Sequence, residues 1–127
     1  PYLTRHGQGP MENERWGYNP PRFKDDTNVH NDWQGSLRRS VIDLDQLRRR
    51  IDWEVKKSVT IKVRPILAIT CLDQMDEVPF TQDGRMRACL PQDFPKIARQ
   101  AVGVDEVLVS RGPSRTDVER IESRVAA

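Results

Sequence analysis

Ser58-Val-Thr-Ile-Lys-Val-Arg-Pro-Ile-Leu-Ala-Ile-Thr-Cys-Leu72 is the one sustained β-type stretch of the 127-residue chain, and its reading decides the fold class. Val59, Ile61 and Val63 alternate with Thr60, Lys62 and Arg64, the period of two that places one face of a strand in water. Pro65 has no N–H to give a ladder, so it marks an edge, a bulge or a strand end. Ile66 to Leu72 is almost continuously apolar, as expected of a strand covered on both faces. Together the two halves read as an edge strand leading into a central one, which the rest of the chain must cover.

N-terminal to this stretch, Ser36 is a candidate N-cap for a helix over 36–57. At 100° per residue, Leu37, Val41, Leu44, Ile51 and Val55 share one stripe, with Leu47 at its border and Arg48 inside it. The opposite face carries Arg38, Arg39, Arg49, Arg50, Lys56 and Lys57, with Ile42 and Trp53 among them. A purely solvated face has little reason to display isoleucine and tryptophan. Three coverings are open: the chain's own N-terminal segment, a protein partner, or nucleic acid held at its phosphates by the cations while Trp53 stacks on a base. Asp45 with Arg49 and Asp52 with Lys56 stand at i,i+4 and neutralise part of the cluster.

C-terminal to the stretch, Asp73, Asp76, Glu77 and Asp83 make an acidic loop region without the ligand spacing of a calcium loop. Val78-Pro-Phe80 and Arg85–Leu90 flank Asp83-Gly84, a hairpin signal. Asp93 with Pro95 opens a helix whose buried stripe is Phe94, Ile97, Ala98, Ala101 and Val102, and Gly103 supplies its C-terminal turn. Glu106–Ser110 reads as a strand, since Val107-Leu-Val109 favours that over the second helix of a helix-turn-helix. Thr116 and Glu119 match a capping box for a last short helix with Val118, Ile121 and Val125 on one side.

Residues 1–35 have neither period. They hold Gly7, Gly9, Pro10, Gly17, Pro20, Pro21 and Gly35, which read as an extended arm or long loop. Yet Tyr2, Trp16, Tyr18, Phe23 and Trp33 are five of the chain's eight aromatics, and disordered tails are poor in aromatics. Such a segment is expected to dock, either on its own domain or on a neighbouring subunit. The expected organisation is therefore an arm over 1–35 and one α+β domain over 36–127, a small mainly antiparallel sheet packed by two or three helices.

The hydrophobic fraction of 36% and charged fraction of 31% fit a small core with a segment packed on something else. Net charge is +2, too small alone to imply nucleic acid, but it is uneven: −1 over 1–35, +5 over 36–65 and −2 over 66–127. Cys71 and Cys89 are too few for a secreted disulfide scaffold and read as thiols in a reducing compartment. No run reaches the ~18 apolar residues of a membrane span. A chain beginning at Pro1 fits removal of an initiator methionine or cleavage of a precursor. His6 and His30 have no second ligand at helical spacing, and no phosphate-binding, dinucleotide or nucleophile-elbow motif is present, so neither catalytic residues, metal nor cofactor is expected.

The functional expectation is a non-enzymatic structural or assembly subunit of a large particle, first a phage virion component such as a head, neck or tail protein, then an organellar complex. Its partners are other protein subunits, copies of itself among the cases, met through Trp16, Tyr18, Phe23, Trp33, Ile42 and Trp53. The alternative is a nucleic-acid-binding accessory protein using Arg38, Arg39, Arg49, Arg50, Lys56 and Lys57. Its setting is a virion or a reducing intracellular compartment.

Overall fold

The computed structural model describes residues 1–18 and 27–122. Among these the chain is α+β: strands β1 (Leu3–Arg5), β2 (Arg38–Ser40) and β3 (Ile42–Asp43), helix α1 (Leu44–Lys57), strands β4 (Ile66–Ile69), β5 (Val78–Gln82) and β6 (Arg85–Cys89), helix α2 (Phe94–Val102), and strands β7 (Glu106–Ser110) and β8 (Val118–Glu122). The strands form three small sheets: β1-β2, β3-β5-β6 and β4-β7-β8. β3 runs parallel to β5 and β4 parallel to β7, while the other three pairings are antiparallel.

One core serves all of this. Leu44 from α1, Phe94, Ala98 and Val102 from α2, Val78 and Phe80 from β5, and Val107 and Val109 from β7 are buried together. Phe80 and Phe94 meet edge to face at 5.6 Å, a geometry that aromatic quadrupoles favour. The β5–β6 hairpin turns at Asp83 and Gly84, both with positive φ (53° and 68°), as a two-residue turn matched to strand twist requires. Pro95 stands in the first turn of α2 and Gly103 ends it in the left-handed region, donating to the carbonyl of Arg99.

Three local expectations are overturned, two of them by pairing with another segment. The helix expected from Ser36 begins at Leu44, because 38–40 is taken into a ladder with 3–5. Asp43, still extended, caps it by accepting from the Gln46 N–H at 2.8 Å. Leu37, Val41 and Ile42 are therefore not helical, and Arg48 lies in solvent, 3.7 Å from Asp52. The last helix expected from Thr116 is a single 3-10 turn, capped by Ser114 with Asp117 rather than by Thr116 with Glu119, followed by β8. Pairing with β7 satisfies backbone groups of a buried strand that a short surface helix would leave open. Residues 59–64 have the strand pattern but no ladder partner among the described residues, and only Ile66–Ile69 of the central stretch pairs.

Buried Glu106 opens β7 opposite Glu122 of β8, a like-charge pairing that would be unfavourable alone. Arg120 resolves it, with Nε 2.7 Å from the Glu106 carboxylate and 2.8 Å from that of Glu122. Arg64, at 3.6 Å from the other Glu106 oxygen, ties the end of the 59–65 segment to the same carboxylate.

Candidate functional site

Of the segment read as an arm, residues 1–18 lie against the chain's own body, and polar contacts hold them there. Arg38 on β2 donates to the carbonyls of Gly7 (2.8 Å) and Gly9 (2.7 Å) and pairs with Glu14. Ser40 donates to the carbonyl of Glu12 at 2.6 Å. Asn13, in the left-handed conformation that asparagine tolerates, donates to the Val41 carbonyl (3.0 Å) and to Thr81 Oγ1 (2.8 Å). The Glu12 carboxylate meets Gln46 and, at 3.2 Å, Arg50 of α1. Tyr2 donates to Gln74 at 2.8 Å and its ring lies 6.4 Å from that of Tyr18.

These contacts redistribute the residues expected to bind partners. Ile42 sits on β3 opposite Phe80 and packs against the core, so it is not part of an exposed helix face. Tyr18 also packs against the core, and burial holds its hydroxyl above its ordinary pKa, with Asp76 adding to the effect. Phe23 lies outside the described residues. Trp16, Trp33 and Trp53 remain at the surface.

Trp33 is the most exposed of the three, at 94%. It stands at the apex of a tight turn closed by Asn31 and Gly35, whose backbones exchange hydrogen bonds of 3.2 and 2.7 Å. The Asn31 side chain accepts from the N–H groups of Trp33 (3.2 Å) and Gln34 (2.8 Å), the local capping for which asparagine is suited. Gly35 supplies the positive φ of 68°. The Gly7 N–H donates to the Gln34 carbonyl at 2.9 Å, so the turn is fastened to the docked N-terminal segment. A large apolar ring is thus held in water on a preformed support. Sequence pattern singled out the tryptophan; it could not show that its backbone is fixed.

Trp16, with the Arg15 guanidinium 5.0 Å from its ring centre, borders an open apolar cleft with Tyr18, Pro79 and Met86. Trp53 is half exposed on α1 and carries the Lys57 ammonium 3.6 Å from its ring centre.

The six cations expected to form one basic helix face are divided. Arg38 and Arg39 stand on β2, and Arg38 is spent on holding the N-terminal segment. Arg50 is engaged with Glu12. Arg49, Lys56 and Lys57 remain on the exposed side of α1, Lys57 over one face of the Trp53 ring. The central stretch adds an apolar surface that sequence reading had assigned to the sheet: Val59 and Ile61 are 88% and 71% exposed.

Among the described residues no grouping of three or more His, Cys, Asp or Glu side chains is placed to hold a metal ion, and no helix is long and apolar enough to cross a membrane. Cys71 and Cys89 are free thiols. Burial, followed by the charges of Asp93 and Glu77, pushes the Cys89 thiol above its ordinary pKa, away from the thiolate that a nucleophile requires. Comparison with protein-family models, with curated proteins and with solved structures finds no match to this chain.

Proposed function

We propose that this chain is a non-enzymatic structural or assembly subunit that docks on other protein subunits of a larger particle, with Trp33 as its anchor. The observation that carries the reading is the exposure of Trp33 at the apex of a turn already held by Asn31 and Gly35. Tryptophan is enriched among the few interface residues that supply most binding energy, and a preformed turn avoids the ordering cost of a flexible one. Trp16 and the apolar cleft beside it extend the same kind of surface. The N-terminal segment then supports the docking turn rather than reaching out as a whole. A phage head, neck or tail protein is the first assembly to test, an organellar complex the second.

Trp33→Ala in the full chain is the test. Incorporation into the assembly is expected to fall by about tenfold or more, the effect of losing a hot-spot side chain, while the melting temperature stays unchanged. Unchanged incorporation contradicts the proposal.

The nucleic-acid reading keeps Arg49, Lys56, Lys57 and Trp53 but loses the cations engaged inside the fold. It requires affinity for a single-stranded oligonucleotide that falls steeply with salt and with Trp53→Ala. Under the protein-docking reading, neither dependence is observed.

A further inference from the structure

The segment between α1 and β4 turns its apolar side chains to water. Val59 and Ile61 are the most exposed of them, and Val63 is 43% exposed. The backbone bends over 59–61, where the Val59 N–H closes back on the Lys57 carbonyl at 2.9 Å. Both ends of the bend are fastened. Ser58 donates from its N–H to the Val55 carbonyl (3.2 Å) and from its hydroxyl to the Glu54 carbonyl (3.0 Å), and Arg64 reaches buried Glu106. An aliphatic tip is thus held at the end of α1 on a fixed base.

Lysines flank the tip on both sides. Lys56 and Lys57 precede it and Lys62 follows Ile61, while Glu54 is the one carboxylate from Trp53 to Val63, so three cations and one anion leave a local net of +2. Arg48, Arg50 and Arg64 are paired with Asp52, Glu12 and Glu106. The three lysines meet no carboxylate among the described residues. Lys57 lies instead over the ring of half-exposed Trp53, one turn before the end of the helix.

We infer that this tip adsorbs to an anionic lipid surface. Val59 and Ile61 enter the boundary between headgroups and acyl chains, the three ammonium groups lie among the lipid phosphates, and Trp53 sits at the same level, where indole rings collect. The residue types select lipid over a protein partner. Lysine is depleted in protein interfaces and valine is rare among their hot spots. At a lipid surface the lysine stems follow the apolar side chains while the charges stay in the headgroups. A partner strand fits poorly, because the backbone is bent over 59–61 and the Val59 N–H is already bonded. Nucleic acid fits poorly too, since its phosphates meet the lysines but leave valine and isoleucine in water. Insertion is shallow: residues 60–63 make no backbone hydrogen bond among the described residues, and open peptide groups are kept out of the hydrocarbon core. The surface is separate from Trp33, and binding lipid goes beyond docking on protein subunits.

Flotation of the full chain with phosphatidylcholine vesicles containing about 30% phosphatidylserine tests it. The chain is expected to float with these vesicles and to bind pure phosphatidylcholine about tenfold more weakly or worse. Val59→Ser combined with Ile61→Ser is expected to weaken binding by about tenfold or more, since two branched aliphatic side chains no longer leave water. Lys56→Gln combined with Lys62→Gln is expected to cost about tenfold as well, at roughly fivefold for each charge near the surface. All four side chains are at the surface, so melting temperatures are expected to match the parent chain. Trp33→Ala is expected to bind vesicles unchanged. Failure to float, equal binding to uncharged vesicles, or indifference to the lysine pair overturns the inference. Binding that survives the serine pair overturns it by reducing the contact to charge alone. Dimerisation without lipid that the serine pair abolishes overturns it by giving the tip to a second copy. Loss of vesicle binding on Trp33→Ala overturns it by placing the contact at the turn. None of the other outcomes touches the proposal for Trp33.

Discussion

Glu106 shows how much one buried charge organises. Its carboxylate is 2% exposed, yet both cations that meet it, Arg64 and Arg120, are exposed by more than half. Removing the carboxylate leaves two arginines that water can solvate, whereas removing Arg120 leaves a buried carboxylate with one distant partner. The two substitutions are therefore unequal. Glu106→Gln is expected to cost about 1–2 kcal/mol, the loss of a charge-assisted hydrogen bond. Arg120→Ala is expected to cost more, about 3 kcal/mol, because it strands a buried charge. Urea denaturation of both variants checks the order, and an equal or reversed cost contradicts the account of β8. Cys89 gives a second residue-level outcome. Its raised pKa means that the unfolded thiol ionises first, so its contribution to stability falls as pH rises past the ordinary thiol value of roughly 8.5. Alkylation of Cys89 by iodoacetamide at pH 8 is accordingly expected to be slower than that of free cysteine, as read by mass spectrometry.

At the scale of elements, the legible parts were those that local chemistry completes. Asp93, Pro95 and Gly103 delimit α2 within one stretch of chain, Asp83-Gly84 specifies its own hairpin, and Val107-Leu-Val109 is a strand by composition. The illegible parts depend on whether another segment offers an edge to pair with. Residues 38–40 lie between Leu37 and Val41, whose apolar spacing with Leu44 is compatible with a helix, and become β2 because Leu3–Arg5 pairs with them. Residues 118–122 become β8 because β7 offers an edge, and 59–64 has strand pattern but no ladder partner among the described residues. Pattern reports what a segment can do; pairing decides what it does. The candidate site divides the same way: Trp33 and Trp16 stand out as aromatics in a Pro/Gly-rich segment, while the commitment of Arg38 and Arg50 to structural contacts is visible only in three dimensions. Asp43→Ala, removing the cap that fixes the true start of α1, is expected to cost about 1 kcal/mol, whereas Ser36→Ala should cost little, since Ser36 caps no helix. Thermal denaturation of the two variants separates the observed helix from the one that pattern alone suggests.

Across the whole molecule, residues 1–18 complete the body instead of trailing from it. Asn13 bridges Val41, just before β3, to Thr81 on β5, Arg38 gathers the Gly7–Gly9 loop, and Tyr2 reaches Gln74. Asn13→Ala removes two side-chain hydrogen bonds and is expected to lower stability by about 1–3 kcal/mol, raising hydrogen exchange across 3–5 and 38–40 together. Exchange confined to residue 13 itself contradicts the picture of a docked N-terminal segment. Deleting residues 1–35 would remove this support along with Trp33, which is why the docking claim is best read on the intact chain.

That claim has a direct measurement. Replacing Trp33 with the photo-crosslinking residue benzoylphenylalanine keeps a large aromatic group at the apex of the turn, and irradiation in the cell that makes the protein records what lies against it. The account predicts a discrete adduct with one protein of the assembly, suppressed by excess wild-type chain and absent when the same residue replaces exposed Leu90. If position 33 yields only uncrosslinked chain, Trp33 points into solvent in the cell as well, and the docking function is contradicted.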